Sequence, residues 1–381
     1  MKKLSLYLLL ALLVNAFFAC KNSKDPTPPN NLPAIDSTPK APVFTERQVT
    51  GLPIVLVVRT TSAQAHERPD FAAPVVATYQ KEDSLVFTNR ATEQHSTQLL
   101  EGFTYQEPWL RIILPNQKMA WIYGAMVSFN AQTQPALAEL VLYPRVTALF
   151  GADLAQQMGI YQKEVQNTSS LPGFHALYNR AQNIKDSLEW HFTNLLHSNP
   201  NTPETDFFWL NELLDGLLLH YIPEQKKYYL FRDLKRWQQI SQETPAVEDD
   251  AFMEALLAAY PADSIAYYYY GWQLPLEDQS SCSLLGSNIH ATALEKIATA
   301  LDSASYFLPE LQALQQAILD DITTSDRYWM PSEAIQEELD RILQKNYAFL
   351  DRGNRVALKT KRTFLSAPKE HDLVLNLFEG E

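Results

Sequence analysis

Between Pro53 and Phe129 the apolar positions fall in short runs separated by turn residues. IVLVVR (54–59), PVVATYQ (74–80), SLVFTNR (84–90), WLRIIL (109–114) and KMAWIYG (118–124) each read as a β-strand. Lys81-Glu82-Asp83 joins the second run to the third, and Pro115-Asn116-Gln117 joins the last two. Runs of this kind predict an antiparallel barrel or sandwich. Neighbouring residues of a strand face opposite sides. Leu110, Ile112 and Leu114 therefore make a core set, joined by Ala120, Ile122 and Gly124, while Trp109, Trp121 and Tyr123 fall on the outer face or rim.

After Phe129 the spacing becomes helical. The stretch 134–167 carries helix formers with a break at Pro144, and Pro172 opens a helix with Leu177, Ile184, Leu188 and Leu195 on one side. Thr202-Pro203 reads as an N-cap followed by a first-turn proline, leading into the wide apolar face Phe207, Phe208, Leu210, Leu213, Leu214, Leu217 and Leu218. Further helices are expected over 229–242, 248–260, 291–304, 309–323 and 332–351, the last stopping before Gly353. No internal repeat emerges.

The strand order resembles the bacterial SH3 domain. Val58-Arg59 with Thr60-Thr61-Ser62 matches the end of that family's opening strand, and Trp109-Leu110-Arg111-Ile112 with Lys118-Met119-Ala120-Trp121-Ile122 matches its later tryptophan motifs. Asn116-Gln117 and Ala120 replace two of its glycines, and the segment 91–107 is longer than the family's connection. The resemblance implies a small barrel whose aromatic face either binds an extended or cell-wall peptide or packs against the rest of the chain.

The first residues form another pattern. Met1-Lys2-Lys3 precedes the apolar run 4–19, which is shorter than the roughly 20 residues a spanning helix needs. A charged start, an apolar centre and a small residue before a cut site describe a secretory signal. Ala19-Cys20 resembles the lipobox of bacterial lipoproteins, with Phe17 and Phe18 where smaller residues are usual. That resemblance implies cleavage before Cys20 and acylation of its thiol and amine. Two or more chains, each contributing about 0.8 kcal/mol per buried CH₂, anchor stably. Residues 20–45 then read as a polar, proline-rich tether; Lys21 rather than an aspartate after the cysteine implies, by the same resemblance to lipoproteins, sorting towards the outer membrane.

Charge narrows the function. The chain carries a formal −13, and loss of Lys2 and Lys3 makes this −15. A general nucleic-acid binder needs a positive footprint, so that class is set aside. Once Cys20 is acylated, Cys282 has no cysteine partner in the chain.

Catalytic chemistry is sparse. SSCSLLG (280–286) resembles in part the D-C-S-G segment of papain-like peptidoglycan endopeptidases, but Ser281 replaces the aspartate and Leu284 the glycine. His191 and His197, six apart, do not share a helix face. YYYYGW (267–272) stands out, because four successive tyrosines cannot all enter one core. The basic clusters 226–236 and 352–362 read as solvated helix faces.

The sequence thus predicts a multidomain chain, all-β plus all-α: signal peptide 1–19, lipidated tether 20–45, SH3-like β-barrel 46–130 and α-helical domain 131–381. Its expected role is a non-catalytic, lipid-anchored envelope protein that binds a protein or peptidoglycan partner, without nucleic acid, metal or cofactor beyond the lipid on Cys20. The expected ligand or interdomain surface is Trp109, Trp121, Tyr123, Tyr267, Tyr270 and Trp272. The alternative is an envelope hydrolase whose site leaves no short motif.

Overall fold

The strand-forming half builds one curled antiparallel sheet. The computed structural model describes residues 44–49, 54–130, 134–198, 207–261, 263–276 and 280–377. The signal segment, Cys20, nearly all of the tether and Thr202-Pro203 lie outside these residues.

The strands are β1 (Glu46–Gln48), β2 (Ile54–Val58), β3 (Ser62–His66), β4 (Val75–Gln80), β5 (Ser84–Leu100), β6 (Phe103–Ile113), β7 (Met119–Tyr123) and β8 (Val127–Ser128). Their order is β4-β3-β7-β6-β5-β2-β8, with β1 beside β5. The polar stretch at Ser62, read as loop, is the start of a strand. The expected long connection 91–107 is instead the outer half of a β5–β6 hairpin, closed by Glu101-Gly102, both at positive φ (51° and 83°). Two residues in that conformation match the twist of the flanking strands.

Alternation places Leu110, Ile112, Leu114, Ala120 and Ile122 in the main core, as the period-two reading requires. The opposite face is covered as well. Trp109, Trp121 and Tyr123 are buried there with Tyr105 and Ala125 in a second, smaller cluster. Phe71, from the β3–β4 connection, lies 4.7 Å from Trp109 and 5.0 Å from Tyr123, centroid to centroid. The outer-face assignment therefore becomes a second core, because a loop closes over rings that strand geometry alone would leave in solvent.

The second half is mixed rather than all-α. A helical path runs from α1 (Pro135–Leu137) through a wide π-type turn (Ala138–Leu142) into α2 (Tyr143–Phe150). Pro144 does not interrupt it. Proline lacks the N–H that a regular turn uses, and the local widening accommodates that loss. Next come α3 (Ala152–Asn167) and α4 (Leu171–Ser198), whose Leu177, Ile184 and Leu188 are buried as their spacing predicts. The apolar run expected to be helical over 207–218 forms a 3₁₀ turn (Phe208–Leu213) and then β9 (Leu217–Ile222). Gly216 makes the corner at φ 84°, where a Cβ would lie 3.0 Å from Trp237 Nε1. The expected helix 229–242 is β10 (Lys227–Asp233) followed by α5 (Leu234–Ser241), with Asp233 as N-cap. α6 (Glu248–Ala259) precedes the short β11 (Ile265–Ala266), which joins the three-stranded sheet β11-β10-β9.

A two-stranded ribbon, β12 (Gln273–Pro275) with β13 (Ser281–Ser283), leads to α7 (Ile289–Leu301), α8 (Leu308–Thr324), α9 (Ser332–Gln344) and α10 (Arg352–Phe364). The expected helix 332–351 thus ends early. A new one begins where the Asp351 side chain accepts from Asn354 N at 2.7 Å, so the basic segment 352–362 is itself helix. Buried glutamates cap two helix starts. Glu338 accepts from Gly286, Asn288 and Ala291 N ahead of and within α7, and Glu248 accepts from Ser305, Tyr306 and Phe307 N ahead of α8. Carboxylates there meet unpaired N–H groups and the positive end of the helix dipole.

Residues Phe44–Glu381 form one compact unit, whose core runs from β2 to the residues after α10. Sheet and helices are joined by a buried ion pair. Arg145 on α2 donates to Glu107 on β6 at 2.6 and 2.9 Å, and to the Gly124 carbonyl at 3.2 Å. Among the described residues no helix is long and apolar enough to cross a membrane.

Candidate aromatic recognition surface

The tyrosine tetrad lies in irregular backbone just after β11, which sends its rings in different directions. Tyr270 turns inward and stacks on the fully buried Trp272, with centroids 4.4 Å apart and planes 7° apart. Between them Gly271 N donates to the Ala259 carbonyl at 2.7 Å, and a Cβ at Gly271 would lie 2.3 Å from Pro261 Cδ. Only glycine permits that approach of backbone to α6's end. Tyr268 and Tyr269 face outward, 53% and 43% exposed.

Tyr267 and Tyr268 lie over the outer face of the β9–β10 pair. In that register Tyr229 is opposite His220 and Phe231 opposite Leu218. Tyr267 contacts Phe231 at 5.0 Å, and Tyr268 meets Phe231 at 5.3 Å and Tyr229 at 5.1 Å, edge to face. His220 sits 5.4 Å from Phe231. These are the tilted and T-shaped geometries that ring quadrupoles favour.

Charged groups rim the rings. Tyr268 Oη donates to Glu189 on α4 at 3.4 Å, and Glu189 pairs with Lys185 at 3.1 Å. The Lys227 ammonium lies 4.7 Å over the Tyr229 ring. Partial burial, then the Glu189 charge, holds the Tyr268 hydroxyl far above its ordinary pKa, so it stays a donor at physiological pH. The surface combines flat rings, a carboxylate, two ammonium groups and an imidazole. It can stack on C–H faces and hydrogen-bond to hydroxyls, and nothing in it couples a nucleophile to a base. Comparison with known protein families, curated proteins and solved structures finds no match.

Of the expected surface residues, Tyr267 belongs to this patch, Tyr270 and Trp272 form an inward-facing stack apart from it, and Trp109, Trp121 and Tyr123 make the separate buried cluster under Phe71. Trp109 Nε1 donates to Ser96 Oγ at 2.8 Å, and Tyr123 Oη donates to the Ser96 carbonyl at 2.7 Å. Tyr229, Phe231 and Glu189 went unnoticed in the sequence, where His220 stood only among the histidines weighed for convergence on Cys282. The alternation in KYYLFRD (227–233) was the available signal for Tyr229 and Phe231, masked by reading 229–242 as helix.

The polar groups around Cys282 have a different character. Ser283 Oγ donates to Asp321 Oδ2 at 2.6 Å, and His290 Nε2 bonds to the same oxygen at 2.8 Å. Gln273 Nε2 donates to Asp321 Oδ1 at 3.2 Å. Serine and histidine thus share a carboxylate rather than each other, and all three side chains are buried. A catalytic serine needs the histidine within reach of its own hydroxyl, so this set ties β12, β13, α7 and α8 together. Cys282 is buried beside it, and burial raises its thiol pKa. His175 packs edge-on or tilted against Tyr306 and Phe307, and His191 edge-on against Phe150 and Trp190, so these histidines do not converge on Cys282. Among the described residues no group of three or more His, Cys, Asp or Glu side chains is placed to hold a metal ion.

Proposed function

We propose that this chain is a non-catalytic binding protein of the cell envelope, anchored through a lipid on Cys20, and that the aromatic face over β9 and β10 contacts a cell-wall glycan. The observation that carries the reading is the exposed Tyr268 ring beside the charged rim of Glu189 and Lys227, with Tyr269, next along the chain, exposed as well. A glycan offers apolar C–H faces that stack on such rings, and hydroxyls that bond to carboxylate and ammonium groups. The curled sheet is read as an SH3-like module that supports the helical part instead of presenting an open groove, since its tryptophans are buried.

Two experiments test this. Cosedimentation of the solubilised protein with purified peptidoglycan is expected, and the double variant Tyr268→Ala, Tyr269→Ala should weaken it by about tenfold, or ~1.4 kcal/mol. Unchanged cosedimentation in the variant refutes the glycan surface, and capture of an envelope protein in place of glycan assigns the face to a protein partner. Cys20→Ser should release the chain from the membrane pellet. Retention there, with no lipid mass on the N-terminal peptide, refutes the anchor.

A further inference from the structure

The helical hairpin α2–α3 carries a cleft that neither the aromatic face nor the anchor accounts for. Its volume is about 320 Å³. One wall is the wide turn and the start of α2, with Glu139 and Tyr143, and the other is the face of α3 bearing Ala155, Gly159, Ile160 and Lys163. Wide π-type turns displace side chains from the regular helical track and recur at functional sites. Here the turn ends immediately before Tyr143. Gly159 keeps the opposite wall low, since a Cβ there would already touch the Tyr143 ring at 3.5 Å.

Hydrogen bonds link the two walls of the cleft. Tyr143 Oη donates to Gln162 Oε1 at 2.5 Å, and Gln162 Nε2 donates in turn to the Glu212 carbonyl at 3.1 Å. Burial first, and the Glu139 charge second, push the Tyr143 hydroxyl up to about 12, so it remains a protonated donor. The two charged lining residues have opposite sign and stand on opposite walls. Among the described residues no ion pair joins Glu139 to Lys163, and neither is paired with another side chain. The rest of the lining includes apolar surface from Ala155, the Tyr143 ring and Ile160, whose side chain is partly exposed.

We infer that this cleft binds a short zwitterionic peptide, with its ammonium on Glu139, its carboxylate on Lys163 and a small apolar side chain over Gly159 and Ala155. Unpaired opposite charges on facing walls suit a ligand that carries both charges, whereas a simple anion or cation would leave one wall uncompensated. The volume suits a dipeptide, at the small end of ordinary ligand pockets of roughly 300–1,000 Å³.

The test is isothermal titration of the detergent-solubilised full chain with L-alanyl-L-leucine, its N-acetyl form and its C-terminal amide. The free dipeptide is expected to bind, and each blocked form to bind at least about tenfold more weakly. Lys163→Met should remove the penalty of amidation, and Glu139→Gln the penalty of acetylation. Both positions are exposed, so folding is not at risk. Gly159→Leu, checked by circular dichroism, should abolish binding by filling the cleft, while the Tyr268→Ala, Tyr269→Ala variant should bind the dipeptide normally even if its glycan binding is lost. The proposal is overturned if the folded chain shows no binding up to about 10 mM peptide, if blocked and free forms bind alike, or if Gly159→Leu binds unchanged.

Discussion

Replacing Arg145 by methionine removes one half of the bidentate pair that joins β6 to α2. Both side chains are essentially inaccessible, at 0% and 1% exposure. Burial alone would lower the Arg145 pKa, but the adjacent Glu107 carboxylate overrides this and raises it, so the guanidinium keeps its charge at neutral pH. The guanidinium also lies 4.7 Å over Trp209 and 5.8 Å over Tyr105. In Arg145→Met the Glu107 carboxylate stays buried without its counter-charge, a loss of about 3–5 kcal/mol. At roughly 2.1 cal/mol/K per residue, a unit of about 340 residues has an unfolding entropy near 0.7 kcal/mol/K, so the melting temperature should fall by about 4–7 °C. Glu107→Leu should cost a similar amount. The double variant should recover most of the loss, because two apolar groups leave no charge stranded. Calorimetric melting of the wild type, the single variants and the double variant measures the coupling. If Arg145→Met melts within a degree of the wild type, or the double variant loses the sum of the two single losses, the pair does not act as a buried unit.

Glu248 loses favourable solvation on burial, yet the hydrogen bonds from Ser305, Tyr306 and Phe307 outweigh this and depress its pKa below the ordinary value of about 4.5. A depressed carboxylate stabilises the fold above its unfolded pKa and loses that contribution as pH falls through the folded one. Glu248→Gln should therefore be less stable than wild type at neutral pH, and the gap should narrow as the pH falls below the ordinary value of about 4.5 towards the depressed folded one in urea titrations; parallel pH curves would contradict the cap. Cys282, buried with its pKa raised, should resist thiol reagents in the native protein and react only as urea unfolds the chain, so rapid native labelling would show an opening absent from this structure. Trp109→Ala should cost about 3–5 kcal/mol, read as a lowered urea midpoint, because the ring is sealed by Phe71, His66 and Tyr123. A change below about 1 kcal/mol would mean that the second cluster repacks around the gap.

Signals local to a few residues were legible in the chain. Period-two alternation at 110, 112, 120 and 122 located a buried sheet face, and the apolar spacing of 177, 184 and 188 located α4, because each pattern follows from backbone geometry alone. The change of character near Phe129 was visible for the same reason. The unequal exposure of the tyrosine tetrad was also foreseeable, since neither helix nor strand can turn four successive rings one way.

What depended on distant residues was not legible. An apolar run such as 207–218 is compatible with helix or buried strand, and the choice fell to Gly216 packed against Trp237, 21 positions away. Trp109 and Trp121 sit on what alternation marks as an outer face, yet that face became a second core when Phe71 closed over it. Arg145 finds Glu107 across 38 positions, and Tyr268 finds Glu189 across 79. A residue's local pattern specifies which way its side chain leaves the backbone. Whether water, another core or a counter-charge waits there depends on loops and helices folded back from elsewhere, and only the tertiary structure decides it.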